Sequence, residues 1–175
     1  MKPGIIVMSE LRGDVAERLL EIQRRYDPRM VAELPPHITI AGSSGMGPIS
    51  PDTTDADLRA ALAPVAAAIA PFTVRLEPPM QFMQSPVVVM EIDPNGPIRA
   101  LHEAIKSSGL SYEQPRFTFT PHVTLSFYPT LTRDRVRELR GVRIAEPITV
   151  DSIQAYRAID LTRTKKVLDL PLTGT

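Results

Sequence analysis

Cysteine is absent from this 175-residue sequence, and its absence excludes several kinds of chemistry. A chain without cysteine forms no disulfide, has no thiolate nucleophile and has no cysteine-ligated zinc. No apolar run approaches the roughly 20 residues of a membrane-spanning helix, so we expect no membrane association. The apolar segment at residues 5–8 is too short for a signal peptide, and this predicts a cytoplasmic location.

An excess of charge is also absent, because 20 basic side chains are balanced by 20 acidic ones. Proteins that coat long nucleic acids are usually basic, so we expect a small substrate or an RNA end and no binding of extended duplexes. The 43% hydrophobic and 23% charged content is typical of a globular protein. We expect one domain over residues 1–175, built as two lobes, and a monomer.

Histidine is scarce too, and two of the three histidines lie in nearly identical segments. Residues 36–41 read Pro-His-Ile-Thr-Ile-Ala, and residues 121–126 read Pro-His-Val-Thr-Leu-Ser. The two histidines, His37 and His122, are separated by about half of the chain. A single H-x-T match has little specificity, but a repeated one indicates a duplicated site.

Each segment has the pattern of a β-strand with one apolar and one polar face. Alternate side chains of a strand point the same way, so His37 and Thr39 share a face, as do His122 and Thr124. The branched residues between them favour a strand, and a proline suits its first position. The alternative interpretation is two ordinary amphipathic strands with their polar faces in water.

The paired motifs suit acid–base chemistry on a phosphodiester. A neutral imidazole accepts a proton and an imidazolium donates one, so two histidines across a cleft can act as general base and general acid. Threonine hydroxyls can hydrogen-bond phosphate oxygens as charge develops. Neither a cysteine nucleophile nor a metal ion is needed, and the sequence does not show which histidine is the base.

The sequence resembles the 2H phosphoesterase superfamily, which includes bacterial 2′-5′ RNA ligase-like proteins and RNA 2′,3′-cyclic phosphodiesterases. The motifs that resemble it are His37-Ile38-Thr39 and His122-Val123-Thr124, with the intervening strand at 86–92 and the helix at 101–105. The resemblance implies an α+β fold that is bilobal, with pseudo-two-fold duplicated antiparallel sheets, flanking helices and a central cleft. It also implies catalytic His37 and His122, phosphate-binding Thr39 and Thr124, and no metal or cofactor.

The resemblance predicts a metal-independent phosphodiesterase that acts on a 2′,3′-cyclic phosphate or a 2′-5′ linkage of RNA ends or small cyclic nucleotides. One departure leaves the substrate preference open, because many relatives have a basic residue after the second motif where this chain has Ser126, Phe127 and Tyr128. Two alternatives remain. One is 2′-5′ RNA ligase activity, although the chain has no nucleotide-activation motif, and the other is a non-catalytic module that binds RNA ends or nucleotides.

Three further features have both a functional and a structural interpretation. Phe82 is a candidate substrate-binding residue that could stack on a base, or it packs in the core. His102 could be a third cleft histidine or a zinc ligand, although a structural role is favoured. The glycine-rich loop at 42–47 could bind phosphate through backbone N–H groups, although a plain connector is favoured.

The periodicity of the remaining chain predicts its secondary structure. We expect strands at 4–9, 72–76 and 86–93, with the last of these central in its sheet, and helices at 14–26, 98–107 and from Thr132 to about residue 140. A further helix to about residue 70 is expected to kink or split at Pro64. A long strand at 148–159 should form a hairpin with 165–172. The five arginines at 133–143 indicate a solvated helix face.

Overall fold

The structure is a computed structural model that describes residues 3–82, 84–160 and 163–175. Five helices lie within these ranges: α1 (Asp14–Tyr26), α2 (Pro28–Val31), α3 (Asp55–Ala68), α4 (Pro97–Lys106) and α5 (Arg133–Arg140). Nine strands lie there too: β1 (Ile5–Glu10), β2 (His37–Ala41), β3 (Phe72–Val74), β4 (Met80–Gln81), β5 (Val88–Glu91), β6 (His122–Ser126), β7 (Ile148–Val150), β8 (Ser152–Ala158) and β9 (Thr164–Pro171).

The first motif lies in a four-stranded antiparallel sheet with the order β2-β1-β8-β9. The motif strand β2 is at the edge, and β1 pairs with both β2 and β8. The predicted hairpin is present as β8 and β9, although part of its turn, residues 161–162, lies outside the described residues. The sheet of the first motif therefore contains two strands from the far end of the sequence.

The second motif lies in a three-stranded antiparallel sheet with the order β4-β5-β6. The strand β5 is central, as predicted, and the motif strand β6 is again at an edge. β2 and β6 lie next to each other. The apolar sides of both motif strands are fully buried, with Ile38, Val123 and Leu125 at 0% exposure. The two sheets therefore meet where the two motifs are.

The predicted single strand at 148–159 is wrong, because the segment divides at Asp151 into β7 and β8. β7 pairs with β3 in a small two-stranded sheet, whereas β8 joins the sheet of the first motif. Aspartate is disfavoured inside strands. The carbonyl of Asp151 accepts a hydrogen bond from the N–H of Leu172 at 2.8 Å, which fixes the point where the chain changes sheet.

Helix α3 continues through Pro64, so the predicted split into two helices does not occur. Pro64 and Ala60 are both exposed, so water can satisfy the carbonyl that a proline N–H would otherwise have bonded. The hydroxyl of Thr54 accepts a hydrogen bond from the N–H of Asp57 at 3.1 Å and caps the helix.

The predicted α+β class is confirmed, with antiparallel sheets and flanking helices. The predicted bounds of α1 are also confirmed, and the structure adds the short helix α2 directly after it. No helix within the described residues is long and apolar enough to span a membrane. The organisation of residues 1–175 as one domain stays a prediction.

Candidate active site

The four predicted motif residues occupy equivalent positions on two neighbouring strands. β2 and β6 have the same burial pattern, in which the two aliphatic residues are buried and the histidine and threonine are partly exposed. His37 and Thr39 are the partly exposed pair on β2, and His122 and Thr124 are the pair on β6. The structure therefore places both polar pairs at the junction of the two sheets.

Both histidines have the same tautomer, which is set by the same local hydrogen bond. The Nδ1 of His37 is 2.7 Å from the carbonyl oxygen of Pro35, and the Nδ1 of His122 is 2.8 Å from that of Thr120. A carbonyl oxygen only accepts, so Nδ1 is the protonated nitrogen in each neutral ring. Within the described residues neither Nε2 has a hydrogen-bond partner, so each presents a lone pair.

The equivalence extends to the strands that pair with the motifs. Glu10 of β1 is opposite His37, and Glu91 of β5 is opposite His122. Each pairing also has one register shift at the same distance from its histidine, between Val7 and Met8 on β1 and between Val88 and Val89 on β5. Each motif is therefore part of a repeated two-stranded unit that includes a carboxylate.

Burial lowers the pKa of both motif histidines, because it disfavours the charged imidazolium. The charge of His122 lowers the pKa of His37 further, while the Pro35 carbonyl and Glu10 oppose the shift. The Thr120 carbonyl and Glu91 oppose it at His122. Both rings are therefore neutral near pH 7, and the electrostatic effect of one on the other reflects their proximity.

The two carboxylates differ in their surroundings. Glu10 is mostly buried, accepts a hydrogen bond from the hydroxyl of Tyr156 and pairs with the Nζ of Lys166 at 2.7 Å. Burial and the bond to Glu10 raise the pKa of Tyr156 well above its usual value. The side chain of Glu91, in contrast, has no hydrogen bond or ion pair with any described residue. The charge opposite His37 is thus neutralised by Lys166, whereas no described residue neutralises the charge opposite His122.

Phe82 lies at the site, where it contacts one of the two histidines. Its ring centroid is 4.9 Å from that of His122, with the ring planes inclined by 38°. The N–H of Phe82 donates to the carbonyl of Val87 at 2.8 Å, which holds the segment after β4 in place. The ring remains partly exposed, so an aromatic face is available beside His122.

His102 lies in the core beneath the first motif strand. It is 1% exposed, its Nδ1 is 2.8 Å from the carbonyl oxygen of Ile40, and its ring stacks on Phe119 at 3.8 Å. A Cβ on Gly45 would lie 2.5 Å from the His102 ring, so this loop position requires glycine. These contacts account for His102 structurally. Among the described residues, no group of three or more His, Asp or Glu could bind a metal ion.

The glycine-rich loop after β2 has its glycine N–H groups already bonded. The N–H groups of Gly42, Gly45 and Gly47 donate to the carbonyls of Met46, Phe117 and Glu113, at 3.2, 2.8 and 3.0 Å. Donors that are satisfied by the backbone are not available to phosphate. The structure therefore favours the connector over the phosphate-binding loop.

Comparison with known proteins decides the family. The family model for the 2′-5′ RNA ligase superfamily matches residues 11–159, which is most of the chain. The chain belongs to this superfamily. A protein of Geobacillus kaustophilus (strain HTA426), whose name assigns it provisionally to the phosphoesterases, is 29% identical over 127 residues, covering 71% of this chain and 68% of that protein.

Solved structures of other proteins share the superfamily fold. A protein of Thermus thermophilus matches with a TM-score of 0.64 and 18% identity, over 97% of this chain and 98% of its own. LigT of E. coli in complex with 3′-AMP matches with a TM-score of 0.57 and 19% identity, over 99% of each chain. The same protein in complex with ATP matches with a TM-score of 0.55 and 16% identity, over 98% of each chain.

In this member of the superfamily, a buried carboxylate fixes the chain directly after the second motif. Asp27 is 1% exposed, and one of its carboxylate oxygens accepts from the N–H groups of Phe127 and Tyr128, at 2.7 and 2.9 Å. Its other oxygen accepts from the N–H of Met30 at 3.2 Å and caps α2. The sequence predicted only that α1 ends at residue 26, because Phe127 and Tyr128 are distant from Asp27 along the chain.

A second residue of α1 supports the same strand. Gln23 is 3% exposed, and its amide nitrogen donates to the carbonyl of Thr124 at 2.8 Å. A polar residue on the buried side of an amphipathic helix was the available sequence signal, but it does not identify the partner. Gln23 and Asp27 together attach the end of α1 to the strand that contains His122.

Proposed function

We propose that this protein is a metal-independent phosphodiesterase that acts on RNA ends or small nucleotides with a 2′,3′-cyclic phosphate or a 2′-5′ linkage. The observation that supports it most is the matched pair of imidazoles, each with Nδ1 protonated and Nε2 available. Two such groups at one junction can transfer two protons in one reaction. Membership of the 2′-5′ RNA ligase superfamily fits this chemistry.

In the proposed hydrolysis, the Nε2 of one neutral histidine accepts a proton from the attacking water. The water oxygen forms a bond to phosphorus, and the P–O bond to the leaving ribose oxygen breaks. The second histidine, protonated at Nε2, donates its proton to that oxygen. The two rings end with exchanged protonation states, and proton exchange with solvent restores the starting state.

The partly exposed hydroxyls of Thr39 and Thr124 are proposed to donate hydrogen bonds to the non-bridging phosphate oxygens. These bonds would strengthen as negative charge develops in the transition state. The exposed face of Phe82 is proposed to stack on the base or ribose next to the reacting phosphate, because its ring already contacts His122.

Ligation at a 2′-5′ junction is a second candidate, and the superfamily description favours it. It would use the same two proton transfers, with the 5′-hydroxyl of a second RNA end in place of water: that oxygen forms a bond to the phosphorus of the cyclic phosphate, and the bond from phosphorus to the 3′-oxygen breaks. Because the reaction is reversible, the concentration of RNA ends determines which direction is observed. A module that only binds nucleotides would not need a proton acceptor or donor at the Nε2 atoms of His37 and His122.

The test is product formation from an RNA with a terminal 2′,3′-cyclic phosphate, with EDTA present. We expect wild type to open the cyclic phosphate, and His37→Ala and His122→Ala each to lose about 10²- to 10⁴-fold in kcat, the range for a general acid or base. Thr39→Ala and Thr124→Ala should lose less. Thr149→Ala, on the exposed side of β7, is the matched control and should keep full activity.

The results separate the proposed activities. If the wild-type protein binds this RNA and 2′-5′-linked dinucleotides but forms no product, the protein is a binding module and not an enzyme. Activity that survives both histidine substitutions, in variants with wild-type melting temperatures, would overturn the acid–base assignment. Loss of activity on addition of EDTA would contradict the metal-independent mechanism.

A further inference from the structure

A pocket with a volume of ≈ 430 Å³ lies next to the segment that follows the second motif. Its walls include Gln81, which precedes Phe82, and Tyr128, which follows the end of β6 by two residues. The third wall is α5, which contributes Arg133, Arg137 and Arg140. Two residues of the lining, Gln81 and Tyr128, are therefore close in sequence to the functional site.

The arginines of this segment divide into two groups. Arg135 is bound to the protein, since it donates to the carbonyl of Arg25 at 3.0 Å, pairs with Glu138 at 3.1 Å and lies over the Tyr26 ring at 4.4 Å. Arg143 donates to two nearby backbone carbonyls. The other three arginines line the pocket, so the predicted solvated face is divided between structural and pocket positions.

The pocket is positive because no described residue that lines it is acidic. Of the acidic residues on α5, Glu138 is engaged by Arg25 at 2.7 Å and by Arg135. Asp134 is 3.5 Å from Arg137, but both side chains are more than four-fifths exposed, so the pair is weak. This concentration of positive charge stands out in a chain whose net charge is zero.

Tyr128, which lines the pocket, is held in place by its own contacts. The hydroxyl of Tyr128 donates to Glu33, and the guanidinium of Arg29 lies 3.9 Å from the centre of the Tyr128 ring. The N–H of Tyr128 is bound by the buried carboxylate of Asp27. A wall fixed in this way lowers the entropy that a ligand must overcome to bind.

We propose that this pocket binds a second phosphate group of the substrate, located on the nucleotide next to the reacting phosphate. Guanidinium groups bind phosphate through paired hydrogen bonds, and three of them around one pocket with no acidic residue in its lining suit an anion and not a neutral base. The inference rests on the proposed function. The second phosphate is either the 5′-phosphate of a single nucleotide or the internal phosphodiester of an RNA chain.

The experiment compares three substrates that share one reacting group, a nucleoside 2′,3′-cyclic phosphate. The first has a free 5′-hydroxyl, the second a 5′-phosphate, and the third a 5′-linked nucleotide. The measured quantity is the ratio of kcat/KM with a second phosphate to kcat/KM without one. We expect this ratio to exceed one in wild type and to fall roughly tenfold for each of Arg137→Gln and Arg140→Gln.

The matched control is Arg59→Gln, an exposed arginine on α3 that does not line the pocket. It makes the same change in net charge and should leave the ratio unchanged. If the ratio exceeds one for the substrate with a 5′-phosphate but not for the substrate with a 5′-linked nucleotide, the pocket binds a terminal phosphate. If the ratio for the substrate with a 5′-linked nucleotide is as large as the ratio for the substrate with a 5′-phosphate, the pocket also binds an internal phosphodiester.

A wild-type ratio of one, or a ratio that the arginine substitutions do not change, would overturn the assignment of the pocket. If none of the three substrates reacts, the proposed function fails, and binding tests the pocket separately. Nucleoside 3′-phosphates with and without a 5′-phosphate would be titrated into wild type and the Arg137→Gln, Arg140→Gln double variant. A selective loss for the 5′-phosphorylated ligand supports the pocket, and equal affinities overturn it.

Discussion

The two motif strands are nearly the same unit in two different surroundings. Both present a histidine protonated at Nδ1, and both face a glutamate on the neighbouring strand. The first glutamate, Glu10, is neutralised by Lys166, whereas Glu91 has no described partner. Of the two motif histidines, His122 contacts the aromatic ring of Phe82, and His37 has no such contact among the described residues. The repeated strands thus determine the proton positions, and the surroundings distinguish the two histidines.

The ends of the two strands differ most, and this difference gives the largest expected effect. The chain after β6 is bound by the buried carboxylate of Asp27, whereas the chain after β2 is held by backbone hydrogen bonds of a glycine loop. Asp27→Ala leaves the Phe127 and Tyr128 N–H groups without a partner. We expect a loss of about 3 kcal/mol in unfolding free energy, measured by urea denaturation.

The control for this substitution is Asp52→Ala, which removes an exposed carboxylate from a loop and should change stability by less than about 0.5 kcal/mol. Equal effects of the two substitutions would show that the end of β6 does not depend on the carboxylate. The comparison between the two strand ends would then be wrong.

The shared burial of the two histidines predicts the pH dependence of activity. Both pKa values are lowered from 6.5. The state in which one ring is a charged imidazolium and the other is neutral is therefore most populated below pH 6.5. Because kcat/KM reports the free enzyme, its bell-shaped profile should have a maximum on the acid side of that value. A maximum above pH 7 would contradict the lowered pKa of both rings.

The unequal carboxylates predict smaller and opposite effects at the two histidines. Glu91→Gln removes a charge that raises the pKa of His122, so that pKa should fall. Lys166→Gln leaves the charge of Glu10 uncompensated, so the pKa of His37 should rise. Proton NMR titration measures both, since the chain has three histidines and single substitutions assign their signals. Shifts of the same sign in the pKa values of His37 and His122 would contradict the distinction between the surroundings of the two motif strands.

Local sequence patterns predicted the regular elements well. The apolar spacing gave the bounds of α1, Thr132 marked the start of α5, and alternation gave both motif strands. Each of these signals lies within the element itself. The division at Asp151 was not predicted, because the change of sheet depends on strands that are distant in sequence.

The candidate site divides in the same way. The sequence identified the two H-x-T pairs and Phe82, and the structure brings Phe82 against His122. It did not identify Glu10 and Glu91, because strand register is not visible in a single sequence. Nor did it show the bonds of Asp27, since their acceptor and donors are about a hundred positions apart. The catalytic roles stay a prediction until the variants are assayed.

The sheet of the first motif has a consequence for synthesis of the protein. β1 and β2 leave the ribosome early, but β8, which pairs with the other side of β1, is made long after them. Pairings between distant segments form slowly, so the unpaired edge of β1 must wait for β8. The sheet that contains the first motif is therefore completed only when β8 and β9, near the end of the chain, have been made.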